Sequence, residues 1–144
     1  MEKYIAIDLG TTSLGIAISD SLGIVHGKEN FLFEHGNFKK AKEHLLNILE
    51  IENIKNLVVG YPLMISGKEE TRCISTKRFI DELLKEKPDL NIFYQDERFS
   101  TIEAKERMND INLKKSKQDK LIDMFSAIII LERFLGEHKN GNSK

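Results

Sequence analysis

Tyr4-Ile-Ala-Ile-Asp8-Leu-Gly10-Thr-Thr-Ser-Leu-Gly15-Ile-Ala-Ile-Ser-Asp20 is the stretch on which the reading of this chain turns. Tyr4 to Ile7 is an unbroken apolar run, the pattern of a strand covered on both faces. It runs into a carboxylate, Asp8, where folding needs no charge. Leu9-Gly10-Thr11-Thr12 supplies turn chemistry, and Gly15-Ile16-Ala17-Ile18 reads as a second strand returning beside the first. Asp8 is therefore expected at the rim of a sheet, among small residues that let a phosphate or a metal approach. The plainer reading, in which Asp8 only caps its own turn, has to be weighed against where the other acids fall.

Outward from this hairpin the chain alternates. Ser21-Leu22-Gly23 is a turn, and Ile24 to Phe33 reads as a third antiparallel strand. Asn37 is a candidate cap for a helix over Phe38 to Glu50, with Ala41, Leu45, Ile48 and Leu49 on its apolar stripe and Lys39, Lys40 and Lys42 on a solvated face. Lys55 to Gly60 is a short buried strand, reached by a crossover and so expected to be parallel. Tyr61 to Gly67 is a loop, followed by a helix over about Glu69 to Lys87 with Ile74, Phe79, Ile80, Leu83 and Leu84. Asn91 to Gln95 is the last strand, from which Asp96-Glu97-Arg98 emerges. Ser100-Thr-Ile-Glu103 has the form of a capping box opening a third helix. Asn109 to Lys117 reads as a polar mobile loop, and the closing helix runs from about Lys117 to Leu135. The expected fold is α/β: a mixed five-stranded sheet, three antiparallel strands and then two parallel ones, flanked by helices. One domain over residues 1–136 and a flexible tail over 137–144 are expected.

Composition narrows the classes. The 144 residues are 40% apolar and 31% charged, with a net charge of −1. That suits one domain with a real core, and it disfavours bulk electrostatic binding to nucleic acid while leaving room for a local basic patch. A single cysteine, Cys73, precludes an internal disulfide and a cysteine-based zinc site. The longest apolar run, Ala127 to Leu131, is too short for a membrane span, and the first strand leaves no room for a signal peptide. A cytoplasmic protein is expected.

In such sheets ligands bind beyond the carboxyl ends of the parallel strands. Asp8, Gly60-Tyr61-Pro62 and Asp96-Glu97 all fall on that edge. Asp123 shares a helical face with Ala127, Ile130 and Phe134, so it extends an apolar stripe toward the sheet. Its alternative is a salt bridge to Arg98 or Lys120. Three carboxylates, Asp8, Glu97 and Asp123, would repel one another with no protein cation expected between them. A divalent ion is the natural neutraliser, and oxygen-only ligation suits Mg²⁺ or Mn²⁺. Such clusters fit two-metal phosphodiester hydrolysis, with metals roughly 3.5–4 Å apart. No covalent nucleophile is needed, so Ser13, Ser19 and Cys73 fall to structural roles. Lys114, Lys115, Lys117 and Lys120, and Lys68, Arg72, Lys77 and Arg78, are candidate phosphate contacts. Arg98 is expected to pair with a carboxylate or the scissile phosphate.

Four motifs in order now carry a resemblance. They are Asp8-Leu-Gly10 through Gly15-Ile-Ala-Ile-Ser19-Asp20; Val59-Gly60-Tyr61-Pro62-Leu63 with Gly67; Asp96-Glu97-Arg98-Phe-Ser-Thr101 with Glu103-Ala104; and Lys120-Leu-Ile-Asp123 with Ala127 and Ile129-Ile130-Leu131. Over residues 3 to 135 the chain resembles the YqgF/RuvX family of RNase H-fold nucleases, described both as Holliday junction resolvases and as pre-16S rRNA processing enzymes. The resemblance implies an RNase H-like fold, an acidic triad of Asp8, Glu97 and Asp123, a metal cofactor and a nucleic-acid partner, either an rRNA precursor or branched DNA. The chain departs from the family's pattern at Met64 and at Glu70-Thr71. A monomer or a homodimer is compatible, the two-fold dimer suiting a symmetric junction. Two other classes compete. Asp8-Leu-Gly-Thr-Thr12 also resembles the phosphate loop of the actin and sugar-kinase clan, which uses two such domains where this chain has one, and a non-catalytic nucleic-acid-binding protein would keep the fold alone. Metal-dependent cleavage of a labelled single-stranded or branched substrate separates the three.

Overall fold

The computed structural model describes residues 2–61 and 67–141, with side chains over 2–61 and 72–138. The loop over 62–66 and the Lys68 side chain, both singled out in the sequence, lie outside these.

Strands β1 (Tyr4–Leu9), β2 (Ser13–Ser19) and β3 (Val25–Leu32) precede helix α1 (Phe38–Glu52); then come β4 (Asn56–Tyr61), α2 (Gly67–Glu86), β5 (Asn91–Asp96), α3 (Ser100–Asp110) and α4 (Lys115–Gly141). The sheet order is β3-β2-β1-β4-β5. β1 pairs antiparallel with β2, setting Asp8 opposite Gly15, and parallel with β4. β4 pairs parallel with β5, setting Tyr61 opposite Asp96. The expected mixed sheet is the one formed.

Alternation along the strands sends side chains to two unlike layers. Ile5, Ile7, Leu14, Ile16, Leu57 and Val59 meet Leu45 and Leu49 of α1 and Ile80 and Leu83 of α2. On the other face, Ala6, Ala17 and Val58 meet Ala127, Ile130, Leu131 and Phe134 of α4. The strands' side of the second layer is mostly small because α4 lies almost on the strands at Gly15. A Cβ at Gly15 would overlap the Asp123 carbonyl and stand 2.6 Å from Met124 N.

Several local expectations are corrected. The capping box does not form, because the chain enters α3 through Phe99 in the left-handed region (φ 65°). Ser100 is therefore already inside the helix, and its buried hydroxyl has no partner. Asn37 makes no side-chain cap. Ile74, expected on the apolar stripe of α2, is exposed. Lys42 is no part of a solvated face, since its ammonium lies 2.6 Å from Glu86. The expected mobile loop shrinks to 111–114, because Gln118 Nε2 donates to Asn109 Oδ1 and Leu113 O, both at 2.8 Å, and staples the two helices together. α4 continues past Leu135 and Gly136 to Gly141, into the segment expected to be a tail.

Candidate active site

Period-two alternation carries Asp8 to the same face as Ala6, and Glu97 to the same face as Phe93, which also packs on the α4 side. Both acids stand at the carboxyl edge of the parallel strands, and both are buried, with 4% and 8% of their surface exposed. Glu97 is seated by its own backbone, whose N–H donates to Tyr61 O at 3.3 Å. Asp123 is brought in from the other side by the close approach of α4. Two contacts hold that helix turn: Met124 N donates to Asn30 Oδ1 at 2.8 Å, and Ser13 Oγ donates to Asp123 Oδ2. The Asp123 alternative of pairing with Arg98 or Lys120 is not realised.

The acids are not alone, which corrects the expectation that no protein cation stands among them. Arg72 Nη2 lies 3.3 Å from Asp8 Oδ1, 3.4 Å from Glu97 Oε2 and 3.2 Å from Leu9 O. Arg72, expected to bind nucleic acid, reaches from α2 into the cluster instead. Its side chain remains 44% exposed, so it has a path outward.

One cation does not balance three acids. Burial, then the charges of Glu97 and Asp123, hold the Asp8 carboxyl well above the usual carboxylate range, against the pull of Arg72. Asp8 shares a hydrogen bond with Glu97. Burial also raises Glu97 against Arg72, and raises Asp123 against the Ser13 hydroxyl and Arg72. Burial works to lower the Arg72 pKa, but Glu97 and Asp8 outweigh it and the net shift is upward. Among the described residues no three acidic, histidine or cysteine side chains are gathered to grip a metal ion as they stand. The donor set nevertheless suits one: oxygen ligands, a charge deficit, and an arginine in the place a cation would take.

Asp8 and Asp123 line a cleft of about 320 Å³ whose other walls include Gly10, Phe38, Arg72 and Thr76. The turn carrying Glu97 is clamped from α4, where Arg133 Nη1 donates to Arg98 O at 2.7 Å and Asp96 O at 3.4 Å. Arg133 Nη2 bonds Glu103 at 2.6 Å, so the last acid of the unformed capping box serves this clamp. Arg98 pairs with Asp96 at 2.9 Å, a carboxylate as expected but outside the triad. Lys114, Lys115, Lys117 and Lys120 are exposed at and before the start of α4. Sequence reasoning missed Arg133, Asn30 and the Ser13 bond. Only their distance in the chain from one another hid them, since each is a polar residue on an element already assigned.

Residues 2–137 match the family described as RuvX: Holliday junction resolvase. A protein of Ruminiclostridium cellulolyticum, named "Putative pre-16S rRNA nuclease", is 31% identical, the match covering 99% of both chains. One of the same name from Ureaplasma parvum is 37% identical over 94% of this chain and 97% of its own. Among solved structures, RuvC of T. thermophilus in complex with a Holliday junction superposes with a TM-score of 0.61 at 12% identity, covering 95% of this chain and 96% of that one. The fold is thus the RNase H-like fold of RuvC.

Proposed function

Since the chain belongs to the RuvX family of Holliday junction resolvases, we propose that it is a metal-dependent endonuclease that hydrolyses a phosphodiester bond in 5′-end maturation of the 16S rRNA precursor. The observation that carries the chemistry is the trio Asp8, Glu97 and Asp123 gathered around a single arginine, with Asp8 and Asp123 on the wall of one cleft. Mg²⁺ or Mn²⁺ held by these three acids would supply an activated water and neutralise the departing oxygen. With an ion bound, the three acids would hold it as carboxylates, and Arg72, whose side chain is 44% exposed, would be free to turn to the phosphate. Arg133 holds the Glu97 turn in place. Lys114, Lys115, Lys117, Lys120 and Arg98 contact backbone phosphates, which gives affinity without sequence information. The rRNA substrate is supported by end-to-end similarity to relatives carrying that name. On this reading the protein works in the cytoplasm as one domain, as a monomer or a homodimer; resolution of a DNA junction, which the family description favours, would call for the homodimer.

The test is cleavage of an end-labelled precursor RNA and of a four-way DNA junction, with and without metal. Glu97→Gln and Asp123→Asn should each lose more than about 100-fold in rate. Mn²⁺ at about 100 times its Kd should stabilise the wild type by about 2.7 kcal/mol and leave Asp8→Asn unmoved. Equal melting shifts in both proteins would sink the metal assignment. RNA-end sequencing in cells depleted of the protein then chooses the substrate: unchanged 16S ends would exclude the rRNA reading. Replacing Lys114, Lys115 and Lys117 with Ala should flatten the salt dependence of binding.

A further inference from the structure

Beside the acid cleft lies a second recess that the proposed chemistry does not use. This recess, about 310 Å³, lies between α1 and α2 and is walled by Phe38, Lys39, Lys42, Ser75, Arg78 and Phe79. Phe38 and Ser75 also wall the acid cleft, so the two form one furrow. The Phe38 ring is fixed edge-on against Phe33, with centroids 5.9 Å apart, and it is only half-buried.

The charges along this furrow are unequal. Lys42 is committed to Glu86 at 2.6 Å, and the recess's own acid, Glu82, is committed to Lys85 at 2.9 Å. Lys39 and Arg78 are exposed and make no ion pair among the described residues. The furrow therefore offers two uncommitted cations beside a fixed aromatic ring, continuous with the place where a phosphodiester would be cut. A duplex turns its base faces inward, whereas an unpaired strand can lay a base on a ring and its phosphates on flanking cations.

We propose that the α1–α2 recess is a track for a single-stranded nucleic-acid segment running out of the cleft, with Lys39 and Arg78 on its phosphates and Phe38 against a base. The assignment rests on the nuclease reading and adds the strandedness of the substrate on one side of the cut.

The experiment measures binding of fluorescein-labelled single-stranded RNA of about 4 and about 16 nucleotides to the full-length protein in Ca²⁺. It uses the wild type, the double variant Lys39→Ala/Arg78→Ala, and Arg78→Glu alone, each checked by its thermal melt. The wild type should prefer the longer strand. The double variant should reduce the long-to-short affinity ratio at least about fivefold. Its slope of log affinity against log salt on the long strand should be shallower by about 1.4, the value for a single strand that two cations no longer neutralise. Arg78→Glu should reduce the ratio as well. Unchanged ratios and slopes in folded variants would overturn the track and leave the nuclease reading standing. Failure of the wild type to bind either strand or to cleave any RNA would overturn both.

Discussion

The two faces of the sheet solve different problems. Against α1 and α2 the contact is made by large branched and aromatic side chains, such as Ile7, Ile16, Leu45, Leu83 and Phe79, which fill space and repack when disturbed. Against α4 the strands offer mostly small residues, Ala6, Gly15, Ala17, Val58 and Gly60, to Ala127, Ile130, Leu131 and Phe134, and the Asp123 backbone lies on Gly15 with no side chain between. The first face holds the fold together. The second sets the position of a catalytic candidate to within the tolerance of a backbone contact, because at Gly15 no side chain stands between strand and helix to absorb an error.

Gly15→Ala tests that difference most severely. Its Cβ would meet the Asp123 carbonyl, so α4 must move as a whole; we expect a loss of about 4 kcal/mol or more in denaturant melts, with no cleavage by whatever fraction folds. A well-folded, active variant would erase the distinction between the faces. Leu45→Ala, wholly buried on the other face, should cost about 3 kcal/mol. Below its melting point its cleavage rate per folded molecule should match the wild type, and a selective loss of rate would show that the first face also tunes the site.

Asp8→Asn sharpens the comparison from within the site. Burial and the neighbouring acids raise the Asp8 pKa, so the native state binds this proton more tightly than the unfolded chain does. Metal-free wild type must then lose stability as pH rises from about 4, the unfolded carboxylate value, through the native one. Asp8→Asn lacks that loss and should be more stable by about 1–2 kcal/mol near neutrality, with the advantage vanishing at about pH 4. A gain that persisted at acid pH would point to packing rather than charge. Gly60→Ala should be mildest, about 1 kcal/mol, because the nearest atom to its Cβ, at 2.5 Å, is Ile130 Cδ1, the free end of a side chain.

Much of this was legible in the residues alone. Apolar runs gave the strands and their order of appearance, and the parallel crossovers put Asp8 and Glu97 on one edge. Helical spacing put Asp123 on the sheet-facing stripe of the last helix. These features are periodic, and a period is a local property that sequence carries directly. What sequence could not supply was the partner of each long polar side chain. Arg72 looked like one of several surface cations, yet it is the counter-ion of the acids. Arg133 looked like any charge on a helix, yet it clamps the Glu97 turn. The Ser100 capping box was well formed in sequence but lost to a left-handed Phe99. An arginine's partner depends on the distance between two elements and on a chain of torsions that spacing does not encode. Which acids would gather was thus decided by the sequence, and which cation would stand among them was decided only when α2 and α4 closed over the same edge of the sheet.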